Sequence, residues 1–318
     1  MNITRRSFGL GALAAASTLA LPAWALAPLA GVQVPGVVRR KVGSFEITAI
    51  NDGYTALTAD LFSGVPATDI EAALASVRQG TTIPTAVNTF VVNSDAGTWL
   101  IDAGSGPSQA FGPNLGRTVA NLEAAGITPD QIDGVILTHA HIDHVEGLVD
   151  GSGAAVFANA EVVIHEDEYG FWFDDGMMSQ APEAAQGLFE SARRSLTPYA
   201  DRTRQVQAGE VAPGLTLIHA PGHTPGHSVL HIANGDDEML ILGDTLHNAA
   251  IHTAYPDVGF GFDTDAALAA QSRRAQFDRV AADGILVAAT HVAFPSFGYI
   301  VAEGDRFRYQ QAEWQFPL

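Results

Sequence analysis

The segment that most constrains this chain is a histidine cluster placed directly behind a short apolar run. Residues 134–137 have the composition of a buried strand, and residues 138–147 follow with the sequence THAHIDHVEG. On an extended backbone, His139 and His141 project to the same side because they are two residues apart. Asp143 and His144 come next, where the chain leaves the strand. We therefore expect four ligand-type side chains to converge at one strand end.

Three further apolar runs end in the same kind of residue. The run LTLI is followed by HAPG and then His223. Asp244 is the last residue of the segment MLILGD, and His291 is the last residue of ILVAATH. Loops at strand ends bring catalytic groups of layered α/β proteins together. Together these strand ends predict a site rich in histidine and aspartate.

Composition limits the partners and the ligands. Sixteen Lys and Arg residues against 35 Asp and Glu residues give a net charge of −19, which argues against a nucleic-acid partner or an anionic membrane surface. The chain has no cysteine, so it forms no disulfide. Its metal ligands must then be His, Asp or Glu, which favours borderline-to-hard divalent ions.

The N-terminal residues have the layout of an export signal. Residues 1–27 contain Arg5 and Arg6, an apolar Ala/Gly/Leu stretch and the small-residue end AWALA. Adjacent arginines followed by Ser7 and Phe8 are typical of the twin-arginine type. We expect cleavage of this signal, a periplasmic or secreted protein that is not membrane-bound afterwards, and a single domain over residues 28–318. An uncleaved membrane anchor is the alternative.

The rest of the chain alternates short apolar runs with helical patterns. The helical patterns cover residues 115–125, 182–195 and 265–282, the last with Thr264 as N-cap and Gly284 after its end. Nine strands are expected at residues 45–50, 89–92, 99–101, 134–137, 161–164, 215–218, 228–232, 239–242 and 285–288. Strands outnumber the dispersed helices, so a layered α/β sandwich is favoured over an all-β barrel.

The complete motif set resembles the metallo-β-lactamase superfamily of metallohydrolases. H-x-H-x-D-H, a later His, a Gly-Asp and a final His match it, and the likeness runs from about Val42 to Phe307. The segments GSFEITAINDG, FGPNLGRTVANLEAAG, GHTPGHS and ATHVAFPSFGYIVAEG are most similar to methyl parathion hydrolase and its lactonase and arylesterase relatives. The resemblance implies a four-layer αβ/βα sandwich.

The resemblance also implies two metal ions and assigns a role to each motif residue. His139, His141 and His223 would hold one ion, Asp143, His144 and His291 the other, and Asp244 would bridge them. Asp102 and His227 would support the ligands from outside the set. Zinc suits this set best, and Mn, Fe or Co are alternatives.

Two such ions lower the pKa of a bridging water and yield a hydroxide nucleophile. The expected catalytic side chains are Asp143 and Asp244, with Asp143 also able to carry a proton. The resemblance places Phe111, Trp172, Leu188 and Phe189 around an apolar substrate pocket. Esters, lactones and phosphotriesters are the expected small-molecule substrates. A homodimer is suggested only by analogy with other members of the fold.

Several alternatives stay open at this level. The same fold can act on β-lactams or oxidise small sulfur compounds with metal, and a non-catalytic metal-binding module is a third possibility. His165 is expected to be a hydrogen-bonded histidine at a strand end, whereas His247 and His252 are candidates for the pocket wall.

Overall fold

The structure is a computed structural model that describes residues 29–108 and 110–318. The chain divides into residues 1–34 and a compact unit of residues 35–318. The export signal predicted over residues 1–27 lies outside the described residues. Within the described part, none of the helices has the length and apolar character needed to cross a membrane.

The described residues form sixteen strands, whereas the sequence predicted nine. Most of the predicted strands are longer in the structure than expected. Strands β1 to β8 are Val37–Val42, Phe45–Thr58, Phe62–Ser63, Thr82–Ser94, Gly97–Ile101, Gly134–Ile136, Glu161–His165 and Thr203–Val206. Strands β9 to β16 are Gly209–Ala212, Leu215–His219, Ser228–Asn234, Asp237–Ile241, Gly259–Phe260, Leu286–Ala288, Gly298–Glu303 and Arg306–Gln311.

Eight α-helices connect these strands within the described residues. Helices α1 to α8 are Ala67–Ser76, Thr118–Ala124, Ile142–Val145, Glu166–Phe173, Asp175–Gln180, Glu183–Leu196, Ala249–Ala254 and Ala266–Asp283.

Two seven-stranded sheets form the centre of the unit. The first has the order β1-β2-β4-β5-β6-β7-β8 and the second β16-β15-β14-β12-β11-β10-β9. Side chains alternate between the faces of each strand, so that Phe90 and Val92 of β4 point into the core between the sheets while Val91 points outward. That core is shared by both sheets, with Ile136 from the first and Leu230 from the second.

Helices cover the outer face of each sheet. Leu122 of α2, Trp172 of α4 and Phe189 of α6 pack on the first sheet, and Phe277 of α8 packs on the second. The layers therefore run helix, sheet, sheet, helix. This confirms the predicted four-layer α/β sandwich.

The boundaries of the longest helix require one correction. The sequence predicted a helix over residues 265–282 with Thr264 as N-cap, but α8 is Ala266–Asp283 and its cap is Asp265, whose carboxylate accepts a hydrogen bond from Leu268 N at 3.0 Å. Thr264 instead donates its hydroxyl to the carbonyl of His223 at 3.0 Å. Gly284 ends the helix with a φ of 66°, as predicted.

Candidate active site

Four strand ends, one from the first sheet and three from the second, bring the predicted ligands to one place. His139 and His141 follow β6, and α3 then turns Asp143 and His144 toward the same point. His223 follows β10, Asp244 follows β12 and His291 follows β14. The chain can turn sharply before Asp244 because Gly243 has a φ of 51°, and a side chain there would meet His227 Nε2 at 2.8 Å.

All seven predicted ligands are buried and fall into two adjoining groups. The ligand atoms within a group lie within 4.8 Å of one another. The first group is His139, His141, His223 and Asp244, and the second is Asp143, His144 and His291. Asp244 also forms a group with His247 and His291, so it stands between the two.

The nitrogen positions of the first group fit a tetrahedral cation. His141 Nδ1 lies 3.0 Å from His139 Nε2 and 3.0 Å from His223 Nε2. Two nitrogens bound at zinc–nitrogen distances would be about 3.3 Å apart. An imidazole nitrogen offers either one lone pair or one N–H, so well-formed hydrogen bonds satisfy at most two of three convergent ring nitrogens. A shared cation satisfies all three.

The outward nitrogen of four ligand histidines is held by an oxygen. His144 Nδ1 is 2.8 Å from Asp102 Oδ2, His223 Nδ1 is 2.9 Å from Asp263 Oδ1, and His291 Nδ1 is 2.9 Å from the carbonyl of Ala86. The fourth is His139, whose Nδ1 lies 3.1 Å from Thr138 Oγ1. These contacts place the proton on Nδ1 and leave the Nε2 lone pair facing inward, as metal-binding histidines require.

Asp102 is placed for this supporting role by an unusual backbone. Its φ of 57° is rare for a residue with a side chain. Its carboxylate accepts from Thr138 N and Thr138 Oγ1, both at 2.8 Å, as well as from His144. One side chain thus fixes both the strand end and a ligand.

Asp244 lies among the ligand histidines, and one of its two carboxylate oxygens has no hydrogen-bond partner among the described residues. Its Oδ2 is 3.3 Å from His223 Nε2 and 3.2 Å from His291 Nε2. Among the described residues, Asp244 Oδ1 and His144 Nε2 are buried, 3.3 Å apart, and without a hydrogen-bond partner. Burial disfavours the charged form of Asp244. The surrounding histidines, of which His291 has the largest effect, nevertheless hold the pKa of Asp244 well below its usual value. A buried carboxylate with an unpaired oxygen fits a bridging metal ligand.

The protonation of the histidines fits the same arrangement. Burial, followed by the charge on neighbouring histidines, lowers the pKa of His139 and of His141 well below the usual value, so both are neutral at pH 7. Burial opposes protonation of His223, but Asp244 and Asp263 together raise its pKa to about 9. A cation at Nε2 would replace that proton.

His227 supports Asp244 and points away from the ligand group. Its Nδ1 donates to the carbonyl of Ala220 at 3.0 Å, and its Nε2 accepts from Asp244 N at 3.0 Å. Burial, and after it His223, lowers the pKa of His227 to about 3, consistent with a neutral ring that accepts at Nε2.

A cavity that is partly open to solvent adjoins the ligands. Phe111 and Leu188 line it, as the sequence predicted for the pocket. Trp172 and Phe189 do not line it and are 2% and 3% exposed, which corrects the predicted pocket. Their rings pack on each other at 4.8 Å in the core over the first sheet, and Trp172 Nε1 donates to Glu168 at 2.6 Å.

Other residues complete the cavity wall. Phe260 and Phe262 line it, with ring centroids 5.6 Å apart, and Phe262 meets Phe111 edge to face at 6.1 Å. Neither phenylalanine was predicted for the pocket, since the segment GFGFD carries no motif. His247 lines the cavity, stacked on Phe260 at 3.8 Å, whereas His252 lies behind it and accepts from His247 N at 3.0 Å.

A third group of ligand-type residues lies outside this site. His165 and His219 stack at 4.1 Å, each within 4 Å of Asp167. His165 Nδ1 accepts from Asp167 N at 3.2 Å, and His219 Nε2 is 2.9 Å from the carbonyl of Pro225. Since both nitrogens that face Asp167 already have partners, His165 is the hydrogen-bonded strand-end histidine that the sequence predicted.

Comparison with known proteins identifies the family. The sequence model of the metallo-β-lactamase superfamily matches residues 82–290, about two thirds of the chain, and the chain belongs to that superfamily. It is 27% identical over 203 residues to an N-acyl homoserine lactonase of Bacillus cereus, a match that covers 58% of this chain and 73% of that protein. Matches to further Bacillus lactonases cover 55% of their length.

Solved structures share the fold over most of the chain. The crystal structure of AbOPH, a hydrolase in the β-lactamase superfamily, superposes with a TM-score of 0.84 at 29% identity and covers 90% of this chain and 100% of that one. AidC, a dizinc quorum-quenching lactonase, superposes with a TM-score of 0.82 at 24% identity over the same shares of the chains, which shows the common fold.

Proposed function

We propose that this chain is a dinuclear metal-dependent hydrolase of neutral lactones and esters. The observation that carries this proposal is the buried His and Asp set that opens directly into an apolar cavity. The relationship to N-acyl homoserine lactonases supports the reaction class. In this proposal His139, His141 and His223 hold one ion, Asp143, His144 and His291 hold the other, and Asp244 bridges them.

When bound, such a pair of ions activates water and polarises the scissile carbonyl. The side chains of the chain itself position the substrate and handle the proton. Asp143 is 7% exposed and lines the cavity, so its carboxylate can take the proton of the attacking water and return it to the leaving oxygen.

His247 is placed to orient a substrate oxygen. Among the described residues, neither of its ring nitrogens has a hydrogen-bond partner, although Nε2 lies 3.2 Å from Asp244 Oδ2. Burial lowers the pKa of His247 to about 4 against the opposing effect of Asp244, so the ring is neutral at pH 7. A neutral imidazole can donate one N–H to a bound ester oxygen.

The cavity wall favours substrates without charge. Its apolar surface comes from Leu57, Phe111, Leu188, Phe260 and Phe262, and the described residues that line it include no lysine or arginine. Away from the proposed ions, a carboxylate or phosphate on the substrate would be buried without a lysine or arginine partner. This favours lactones and aryl esters over β-lactams, which carry a carboxylate, and over acyl-coenzyme A. Phosphotriesters are also neutral, so we propose them as a secondary activity.

A substrate panel tests the proposal. The zinc-loaded chain would be assayed with an N-acyl homoserine lactone, dihydrocoumarin, p-nitrophenyl acetate, methyl parathion and a cephalosporin, before and after chelation. We expect chelator-sensitive turnover of the lactones and the ester, weaker turnover of methyl parathion and none of the cephalosporin. Turnover of the cephalosporin alone, or activity that survives chelation and dialysis, would contradict the proposal. Metal content near one ion or none, with no turnover, would favour an oxidative or a non-catalytic role.

We also propose that the chain is exported and processed after residue 25 or 27. The support is the sequence of residues 1–27, with its paired arginines and small-residue end. Mass spectrometry of the protein from a periplasmic fraction gives the mature N-terminus. Recovery of the full-length chain in the cytoplasm would contradict export.

A further inference from the structure

Glu168 is a buried carboxylate at the centre of a hydrogen-bond network close to the site. It is the third residue of α4 and is fully buried. Its Oε1 accepts from Ala140 N at 2.9 Å and Trp172 Nε1 at 2.6 Å, and its Oε2 accepts from Thr224 Oγ1 at 2.6 Å and Gly226 N at 3.0 Å. None of these four donors carries a positive charge. A buried carboxylate is retained only where such bonds offset its desolvation.

The two oxygens contact the two loops that carry the first ligand group. Ala140 lies between His139 and His141, and Thr224 directly follows His223. Oε1 therefore holds the loop after β6 in the first sheet, and Oε2 holds the loop after β10 in the second. One side chain spans both sheets at the point where three ligand nitrogens meet at 3.0 Å.

The backbone confirms how closely helix and loop approach here. A Cβ at Gly226 would lie 2.1 Å from Glu168 N and 2.5 Å from its Cα. The first turn of α4 thus rests directly against the loop that carries His223. The position of that loop depends on this contact as well as on the carboxylate.

We propose that Glu168 is a positioning residue that sets the separation of His139 and His141 from His223, and through it the affinity of the first ligand group for a divalent cation. The inference rests on the proposed metal site and adds to it a residue that binds no metal itself. Groups that orient metal ligands change metal affinity by about 10- to 100-fold when they are removed.

The test is the zinc affinity of a Glu168→Gln variant, measured by competition with a chromophoric chelator and without reference to turnover. The amide keeps the shape but replaces one oxygen with a donor. Because Ala140 N, Trp172 Nε1 and Gly226 N can only donate, at least one of them loses its acceptor. We expect the dissociation constant of one of the two zinc equivalents to rise about 10- to 100-fold. The d–d absorption of the cobalt-substituted Glu168→Gln variant should also differ from that of the cobalt-substituted native protein.

Asp52→Asn is the matched control. Asp52 is also buried and also accepts four hydrogen bonds, from Ser105 N, Gly116 N, Thr118 N and Thr118 Oγ1. None of those donors is in a loop that carries His139, His141 or His223. We expect Asp52→Asn to lower stability to a similar extent and to leave the zinc equivalent held by His139, His141 and His223 at native affinity.

Thr224→Val provides a milder variant in case Glu168→Gln does not fold. It removes one hydrogen bond to Oε2 and keeps the side-chain shape, so zinc affinity should fall by less than about tenfold in the same equivalent. Native zinc affinity in the folded Glu168 and Thr224 variants would overturn the inference, as would equal weakening by Asp52→Asn. If the native chain itself binds no zinc, the proposed metal site fails first, and that result is recognisable before any variant is made.

Discussion

Asp263 shows how one side chain couples a metal ligand to the substrate wall. Its Oδ1 lies 2.9 Å from His223 Nδ1, and its Oδ2 accepts from Phe260 N at 2.8 Å. Burial opposes the charge, but the bond to His223 and its charge lower the pKa of Asp263 below the usual value, so it is ionised at pH 7. A carboxylate behind a histidine ligand fixes the ring and raises its basicity.

Replacement of this carboxylate should therefore affect both metal binding and turnover. In Asp263→Asn the amide keeps one acceptor oxygen, so His223 Nδ1 or Phe260 N loses its partner. We expect kcat/KM for a lactone, and zinc affinity, to fall about 10- to 100-fold. Asp257→Asn is the control, because Asp257 lies on the same segment but its side chain is 67% exposed. Among the described residues its carboxylate is hydrogen-bonded only to Arg274. Native zinc affinity in Asp263→Asn would contradict this role.

At the scale of elements, α8 fixes the segment that runs from Asp244 to the aromatic wall. Arg273 of this helix is fully buried. Its guanidinium donates to the carbonyls of Thr245, Pro256 and Val258, each at 2.8 Å. Burial lowers the pKa of Arg273 to about 10, which leaves it charged at pH 7. The helix thereby holds the backbone on both sides of α7.

The neighbouring arginines of α8 should differ sharply in their contribution to stability. Arg273→Met leaves three buried carbonyls without this donor. Because each unsatisfied buried group costs about 1–3 kcal/mol, we expect the free energy of unfolding to fall by about 3 kcal/mol or more. Arg274→Met removes a surface ion pair with Asp257 and should change it by less than about 1 kcal/mol. Urea denaturation of the two variants measures both values. If the two substitutions lowered the free energy of unfolding equally, the hydrogen bonds of Arg273 would not be what stabilises this segment.

The N-cap of α8 distinguishes the predicted boundary from the observed one. Asp265→Ala removes the acceptor of Leu268 N and should lower the free energy of unfolding by about 1 kcal/mol. Asp278→Ala, at an exposed position of the same helix, should stay within about 0.5 kcal/mol of the native value. Thermal denaturation of both variants measures these changes in stability. If Asp265→Ala had native stability, Asp265 would not be the N-cap and the predicted Thr264 would be favoured instead.

Local pattern explains which parts of the site the sequence could predict. The ligand residues directly follow apolar runs, so the strand ends alone predict that His139, Asp244 and His291 belong to one site. Asp263 and Glu168 act through contacts between segments distant in sequence, and no local pattern marks them. Trp172 was misplaced because the apolar run around it fits a pocket mouth as well as a core.

The same limit applies to the elements themselves. The alternating polar and apolar residues after Ile50 continue β2 to Thr58, where pairing with β4 supplies the hydrogen bonds, yet the sequence prediction stopped at residue 50. The edge strands β1 and β16 are polar or half-buried along much of their length, so composition does not reveal them. Strands with a continuous apolar run were found, and strands that depend on a neighbour were missed or shortened.

Across the whole molecule, each proposed metal site takes ligands from both sheets. The first ion would join His139 and His141, behind the first sheet, to His223 and Asp244, behind the second. The second would join Asp143 and His144 to His291 in the same way. Bound metal would therefore connect the two halves of the sandwich, and the unfolded chain would not offer these ligands in one place.

Metal should then stabilise the whole unit. Free zinc at 1,000 times its dissociation constant adds about 4 kcal/mol for each independent site, which raises Tm by several degrees in calorimetry relative to the chelated protein. His291→Ala removes the ligand that the second sheet contributes to the second ion alone, so it should lose about half of this zinc-induced shift. A shift that stays at its native size in His291→Ala would mean that the second ion does not join the sheets. No shift in the native chain would exclude metal from holding them together.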